Sequence, residues 1–175
     1  KGDTVVFYFS GHGAQAPDLS GDEGGGYDEL LLPADASGWK GAIGSVENAL
    51  VDDDLQVWTQ STLSKGVQVV GLIDACHSAT GFRAVGGRGV ARVIDEATLG
   101  IPDDVPSVAG TPAPPLAGNF VFLYSSQSDQ RSFEYPMADG TWHGEFTLRL
   151  AQTLRDAPDA SWAQILAATT ETMVQ

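Results

Sequence analysis

The sequence predicts an α/β domain built around a mostly parallel sheet, and three apolar stretches carry that prediction. Thr4–Gly13 begins as a run of β-branched and aromatic residues, and Val67–Ile73 and Asn119–Ser125 have the same composition. Runs of this kind are typical of strands buried on both faces of a parallel sheet. The first two runs end in short polar tips, which favours a site at the carboxyl end of the sheet.

Helix patterns occupy much of the chain between and after these strands. Val51-Asp52-Asp53-Asp54-Leu55 opens a helix, with Asp at its N-cap and in its first turn. Phe146, Leu150 and Leu154 recur at four-residue spacing and predict a core-facing helix, and a last helix is expected over Ser161–Val174. An Asp139-Gly140 turn signal predicts a hairpin within Phe133–Phe146.

Composition restricts the classes of function. A length of 175 residues suits one domain, and the net charge of −14 argues against binding to a nucleic-acid backbone. It is compatible with cationic partners, either metal ions or basic peptides. The single cysteine excludes an internal disulfide and a Cys-rich zinc site. No apolar run approaches a membrane span and no signal peptide is visible, so we expect a cytoplasmic protein that does not enter a membrane.

Two strand tips carry the candidate chemistry. The run Val67–Ile73 ends in Asp74-Ala75-Cys76-His77-Ser78, and the first run ends in Ser10-Gly11-His12-Gly13. If these strands are neighbours, His12 lies beside the Cys76 thiol as a base beside a nucleophile. The alternatives are a buried structural cysteine and a structural histidine. The two tips together favour a cysteine-based enzyme.

The SGHG and DACHS tips resemble those of metacaspases and orthocaspases, and Cys76-His77-Ser78 separates them from the legumain-like relatives. The resemblance implies the caspase–hemoglobinase fold, a three-layer sandwich of helices around a mostly parallel sheet. Residues 1–175 would form one peptidase domain whose N-terminal strands lie outside this chain and act as its partner. Cys76 would be the nucleophile, His12 the general base, and the N–H groups of Gly13 and Cys76 the oxyanion hole. His77 and His143 are expected to be structural.

Specificity is expected to rest on Asp74. Side chains alternate along a strand, so the carboxylate two residues before Cys76 lies on the same side and lines the S1 pocket. It would favour peptide substrates with Arg or Lys at P1. Ser10 occupies the matching position before His12, and metacaspases use this Asp and Ser together. The alternative for Asp74 is a strand-end cap.

Three aspartates suggest a calcium site. In calcium-dependent metacaspases, the Asp of a YDE segment and two aspartates of a DD run bind the ion, which corresponds here to Asp28, Asp52 and Asp53. Carboxylate oxygens are the ligands that Ca²⁺ prefers. The alternative is a capped helix with a solvated acidic face. The predicted peptidase chemistry itself needs no cofactor.

Two remaining segments are predicted to be irregular. Ala14–Tyr27 is expected to be an active-site loop and Asp35–Asn48 a glycine-rich insertion. The stretch of about 84–118 shows neither strand nor helix periodicity, which indicates a flexible linker or a long surface loop. It could also be cut by the enzyme itself, and its candidate self-cleavage residues are Arg83, Arg88 and Arg92.

The sequence is compatible with two other functions. The first is an inactive caspase-like scaffold, against which the presence of both His12 and Cys76 argues. The second is a metal-dependent hydrolase that uses His12, Asp74, Cys76 and His77 as ligands. A lone cysteine and the lack of an HExxH-type spacing argue against this second function.

Overall fold

The structure is a computed structural model that describes residues 1–23, 26–76, 89–108, 110–126 and 132–173. His77, Arg83 and Arg88 therefore lie outside the described residues. The elements follow in chain order: β1 (Thr4–Ser10), β2 (His12–Pro17), β3 (Tyr27–Leu32), β4 (Trp39–Lys40), β5 (Ser45–Val46), β6 (Leu50–Val51), α1 (Asp52–Leu63), β7 (Gln68–Asp74), β8 (Val90–Ala91), α2 (Glu96–Leu99), β9 (Phe120–Tyr124), β10 (Phe133–Pro136), β11 (Trp142–Gly144), α3 (Glu145–Asp156) and α4 (Trp162–Thr172).

The central sheet consists of the three predicted strands in the order β1-β7-β9, and all neighbours are parallel. The β1–β7 register runs without interruption from Thr4 opposite Gln68 to Ser10 opposite Asp74. The predicted parallel sheet is confirmed. Because the register is unbroken, the tips that follow β1 and β7 leave the same edge of the sheet side by side.

Helices cover both faces of this sheet. On one face, Val70 and Leu72 of β7 form a buried cluster with Phe146 and Leu150 of α3 and Ile165 of α4. On the other face, a second cluster joins Ile73 to partly buried Phe7 of β1 and Leu55 of α1. The predicted three-layer arrangement is confirmed, and burial of the apolar faces of α1, α3 and α4 holds the sheet in the middle.

A second sheet replaces the loop expected from residue 14 onward. β2 follows Gly11 directly and pairs antiparallel with β3, with His12 opposite Leu32 and Pro17 opposite Tyr27. The loop prediction was wrong for residues 14–17, because Ala14 and Ala16 are buried against Leu30. Tertiary packing outweighs the weak strand propensity of these alanines. The predicted Asp35–Asn48 insertion likewise contains a small hairpin, β4–β5.

The stretch 84–118 contains regular structure within its described part. β8 pairs antiparallel with β10, which itself pairs with β11 in the predicted hairpin. α2 is capped by Asp95, whose side chain accepts a hydrogen bond from the N–H of Thr98. Ile101 then packs into the cluster beneath β2. Sequence periodicity missed these elements because each is only two to four residues long.

Helix ends differ from the expectation at one place. The N-cap of α1 is Val51, and no side chain caps it, so Asp52, Asp53 and Asp54 occupy its first turn without capping it. α4 begins with a capping box in which Ser161 and Gln164 bond reciprocally. In the part of the chain that the structure describes, none of the helices has the length and apolar character needed to cross a membrane.

Candidate active site

The two candidate reactive residues lie at one edge of the central sheet. Ser10 is opposite Asp74, and His12 and Cys76 each follow two residues later on their own strand. The N–H of Gly11 donates to the Asp74 carbonyl at 3.1 Å, so the two chains stay paired past the last strand residues. The expected juxtaposition of the two tips is therefore present in the backbone.

Two backbone N–H groups converge on a single carbonyl oxygen. The carbonyl of Arg92 accepts a hydrogen bond from Gly13 N–H at 2.9 Å and another from Cys76 N–H at 3.2 Å. These are the two donors that the sequence assigns to an oxyanion hole. A side chain at position 13 would not fit, because a Cβ there would fall 1.8 Å from the Cys76 carbonyl oxygen. Two backbone N–H donors on one carbonyl oxygen are an arrangement of the kind that acyl-transfer enzymes use to hold a reacting oxygen.

The chain on either side of Arg92 is hydrogen-bonded to neighbouring segments. Before it, Ala91 lies opposite Phe133 in the β8–β10 ladder, and the Arg92 N–H donates to the Ser132 carbonyl at 3.0 Å. After it, Ile94 N–H donates to the Gly13 carbonyl at 2.9 Å. An extended peptide that adds a strand to a sheet edge is a common mode of substrate recognition. We call residues 90–94 the bound segment.

The Cys76 thiol is buried beside the strand that holds the bound segment. Its Sγ accepts a hydrogen bond from Ser132 N–H at 2.7 Å and lies 3.1 Å from the Ser132 carbonyl oxygen. His12 Nδ1 is buried and has no hydrogen-bond partner among the described residues. That nitrogen is therefore free of the structural hydrogen bond that a purely architectural histidine usually makes.

The Arg92 side chain enters a pocket lined by both predicted specificity residues. Its Nη1 lies 3.2 Å from Asp74 Oδ2 and donates to Ser10 Oγ at 2.7 Å. Its Nε lies 3.4 Å from Glu134 Oε2. The guanidinium side chain is only 8% exposed and the Asp74 side chain 1%, so the pair is buried. Asp74 is thus a wall of a pocket that holds a basic side chain.

The carboxylate of Asp74 is held in place by the start of α3. Its Oδ2 accepts hydrogen bonds from the Thr147 N–H at 2.9 Å and from the Thr147 hydroxyl at 2.6 Å. The positive end of the α3 dipole also favours a negative charge there. The absence of a side chain at Gly144 provides space for this ion pair, since a Cβ at that position would lie 2.1 Å from both Arg92 Nη1 and Asp74 Oδ2.

A group of carboxylates lies at the start of β3 and α1, separate from this pocket. Ligand atoms of Asp18, Asp22 and Asp28 fall within 4.8 Å of one another. Ser20 Oγ bridges from this group to Asp53 Oδ2 at 3.2 Å, whereas Asp52 accepts a hydrogen bond from Glu29 N–H at 3.1 Å. Of the predicted calcium ligands, Asp28 therefore joins two aspartates that the sequence did not single out, and Asp53 lies beside them.

Burial and mutual repulsion make this group costly to ionise. Burial, followed by the charge of Asp18, raises the pKa of Asp28 to about 7. Burial likewise raises the pKa of Asp52 to about 7 and raises that of Asp53. By contrast, the N–H of Gly21 and other local donors lower the pKa of Asp18. A buried Asp28 Oδ1 has no hydrogen-bond partner among the described residues. These features fit a hard cation held by oxygen ligands.

The comparison with protein families concerns the part of the chain that contains the two strand tips. The family model described as metacaspase, peptidase C14 domain matches residues 1–84, which include both strand tips and Cys76. Over residues 1–84 the chain is therefore similar to the metacaspase family. Within this metacaspase-like part lie His12, Gly13, Asp74 and Cys76.

Curated relatives agree with that assignment over a similar span. The chain is 40% identical to Metacaspase-1 of Pyricularia oryzae over 78 residues, covering 45% of this chain and 18% of the relative. It is 39% identical to Metacaspase-1 of Arabidopsis thaliana over 79 residues, covering 45% and 19% respectively. The chain thus spans less than a fifth of these relatives. The aligned residues therefore correspond to only a small part of the length of either metacaspase.

A solved structure extends the likeness of fold to the whole chain. A protein of Geobacter sulfurreducens, solved as a structural genomics target, superposes with a TM-score of 0.60 at 23% identity. The superposition covers 99% of this chain and 63% of the Geobacter sulfurreducens chain. The fold therefore continues through the C-terminal half, where β10, β11 and α3 complete the pocket.

Sequence reasoning found the strand-tip residues and missed those that only tertiary structure brings in. Glu134, Gly144 and Thr147 surround the pocket from the hairpin and α3, and the sequence analysis assigned none of them a role in the site. The predicted ligand set of a metal-dependent hydrolase does not assemble among the described residues, since the Asp74 carboxylate is engaged by Thr147 and Arg92. His143 lies exposed on β11.

We expect Asp74→Asn to loosen the bound segment. A neutral side chain leaves the buried Arg92 guanidinium uncompensated, which opens the segment. Amide hydrogen exchange should therefore speed up by more than about tenfold at the N–H groups of Arg92 and Ile94. Asp103→Asn, on the surface, is the matched control, and both variants carry Cys76→Ala so that the chain stays chemically inert. Equal protection in the two proteins would contradict the role of the ion pair.

Proposed function

We propose that this chain is a cysteine endopeptidase domain that cleaves peptide bonds after basic P1 residues. One observation carries the proposal. The bound segment presents Arg92 with its carbonyl on two N–H donors and its guanidinium on Asp74, which is how a P1 residue would bind. The metacaspase match over residues 1–84 supports the same chemistry.

The proposed reaction is acyl transfer to Cys76. His12 takes the thiol proton, and Sγ attacks the P1 carbonyl carbon to form a tetrahedral intermediate. Its oxyanion is stabilised by the N–H groups of Gly13 and Cys76, which already bind a carbonyl oxygen in the structure. Protonated His12 gives its proton to the leaving amine, and water then releases the P1 carboxylate from the thioester.

Charge supports the choice of a basic P1. An isolated buried carboxylate is costly, and a cationic side chain compensates Asp74 whereas an acidic or apolar one leaves it unpaired. Ser10 adds a hydroxyl that accepts from the guanidinium at 2.7 Å. An Asp at P1, the preference of caspases, would bring two carboxylates together and is disfavoured here.

The same contacts support self-processing at one of the three predicted arginines. In the bound segment the bond that lies at the oxyanion donors is Arg92–Val93. Until that bond is cut, the segment fills the cleft and excludes other peptides. Arg83 and Arg88 lie outside the described residues, so the support concerns Arg92 alone.

We also propose that calcium binds the carboxylate group around Asp28. The ligands would be Asp18, Asp22 and Asp28, with Asp53 adjacent. A bound ion would neutralise the group and hold its aspartates together next to β3, which pairs with the strand that begins at His12. The ion takes no part in the cleavage step.

A fluorogenic peptide panel that differs only at P1 tests the peptidase activity. The chain should turn over Arg and Lys peptides and neither Asp nor Ala peptides. Cys76→Ala and His12→Ala should each lower kcat by more than about a thousandfold while circular dichroism stays native. Absence of turnover in the wild-type chain would favour the inactive scaffold. Retained activity in Cys76→Ala would refute the proposal that Cys76 is the nucleophile.

Intact-mass spectrometry tests self-processing. We expect fragments that end at Arg92 and begin at Val93 in the wild-type chain and a single intact species in Cys76→Ala. Arg92→Gln should abolish this cut because the pocket loses its cation, whereas Arg155→Gln, on the exposed end of α3, should leave it in place. A terminus after an acidic residue would overturn the pocket assignment.

Thermal unfolding tests the calcium proposal. At a calcium concentration about 100 times the dissociation constant, Tm should rise by about 5 °C relative to chelator, because the ion binds only the folded state. Asp28→Asn should remove most of this rise, and Asp103→Asn, on an exposed loop, should not. The same Tm in calcium and in chelator would refute the site.

A further inference from the structure

Gly13 makes main-chain hydrogen bonds on both sides of the Arg92–Val93 bond. Its N–H donates to the Arg92 carbonyl at 2.9 Å, and its carbonyl accepts a hydrogen bond from the Ile94 N–H at 2.9 Å. The two hydrogen bonds form an isolated parallel β-bridge in which Gly13 lies opposite Val93. One residue near the start of β2 thus binds the last residue before this bond and the second residue after it.

The bound segment changes its neighbouring strand at Arg92. Before this residue it follows β10, where Ala91 lies opposite Phe133, and the Arg92 N–H donates to the Ser132 carbonyl. After it the segment lies against β2. Among the described strands, β2 is at the edge of the sheet β2-β3-β6. The second sheet therefore offers main-chain groups to residues that follow the proposed cleavage site.

We propose that the Gly13 carbonyl is a binding group for the second substrate residue after the cleaved bond, the P2′ residue. The preferred substrates are then peptides that continue at least two residues past the cleaved bond and carry an N–H group at P2′. Proline has no such group, so the site disfavours it at P2′. The inference rests on the proposed function and deepens it, because it adds a requirement after the cleaved bond to the basic residue before it.

The surroundings of Gly13 fix the direction of both main-chain groups. Gly13 lies opposite Leu31 in the β2–β3 ladder, which holds the backbone of β2 in one orientation. A Cβ at position 13 would fall 1.8 Å from the Cys76 carbonyl oxygen and 3.3 Å from the Leu30 carbonyl oxygen, so the backbone is closely enclosed. A P2′ residue bound to the Gly13 carbonyl therefore helps to hold the P1 carbonyl on the Gly13 N–H, because the two contacts are only two substrate residues apart.

Peptides with the sequence Val-Ala-Arg-Val-Ile-Asp, which is that of residues 90–95, test this contact. One peptide has amide bonds throughout, and in a second an ester replaces the Val–Ile amide, so that an oxygen takes the place of the P2′ N–H. We expect the wild-type chain to cut both after Arg, with kcat/KM about fivefold lower for the ester peptide, because one neutral hydrogen bond is lost. Both peptides displace the same residues from Gly13, so the ratio reports on the lost donor. A third peptide, with the ester at the Ile–Asp bond, is the matched control and should be cut at the rate of the all-amide peptide.

Self-processing gives a second measurement. Ile94→Pro removes the same N–H from the bound segment and should slow the cut after Arg92 by about fivefold. Glu96→Pro is the matched control, because position 96 is the first residue of α2, where proline is tolerated, and its cut should proceed at the wild-type rate. A thermal melt of each variant shows whether a slower cut comes with lost folding.

The outcomes separate this inference from the proposed function. No cleavage of the all-amide peptide by the wild-type chain would refute the proposed function itself. Cleavage of all three peptides at one rate, or an equal loss of rate for both ester peptides, would refute the role of the Gly13 carbonyl alone. A folded Ile94→Pro chain that is cut at the wild-type rate would refute it as well. If Ile94→Pro does not fold, the ratio between the peptides decides.

Discussion

The buried ion pair between Arg92 and Asp74 is the interaction on which the site depends. Two charges that are almost fully removed from water contribute little net stability, yet either one alone would be strongly unfavourable. The pair therefore acts as a constraint on where the chain can run. With the guanidinium on Asp74, the Arg92 carbonyl also accepts hydrogen bonds from the N–H groups of Gly13 and Cys76.

The rest of the fold supplies the partners of that pair. The unbroken register of β1 and β7 aligns Ser10 with Asp74, and the helices packed on both faces prevent the sheet from slipping. α3 begins at the pocket, so the Thr147 N–H and hydroxyl hold the Asp74 carboxylate. The β10–β11 hairpin closes the remaining side with Glu134. Three separate parts of the chain thus meet around one guanidinium.

The acidic side chains of this strongly negative chain form two local groups. At the pocket, Asp74 and Glu134 face a cation of the chain itself. At the carboxylate group around Asp28, the described residues supply no such cation, and burial together with neighbouring charge raises the pKa of Asp28 to about 7. Positive charge compensates the acidic side chains at the pocket through Arg92, and the proposed metal ion would do so at the group around Asp28.

The sequence by itself determined the three parallel strands, the flanking helices, the hairpin and the two strand tips with His12 and Cys76. These follow from local patterns: apolar runs, helical spacing, a turn dipeptide and two motifs. It also predicted Asp74 and Ser10, because alternation along a strand fixes which side chains share a side. Tertiary structure alone decided that Ala14–Pro17 is a strand, that Arg92 lies against Gly13, Asp74 and Cys76, and that Glu134, Gly144 and Thr147 complete the pocket. Those features depend on contacts between residues far apart in the chain, and short segments leave no periodicity from which such contacts can be inferred.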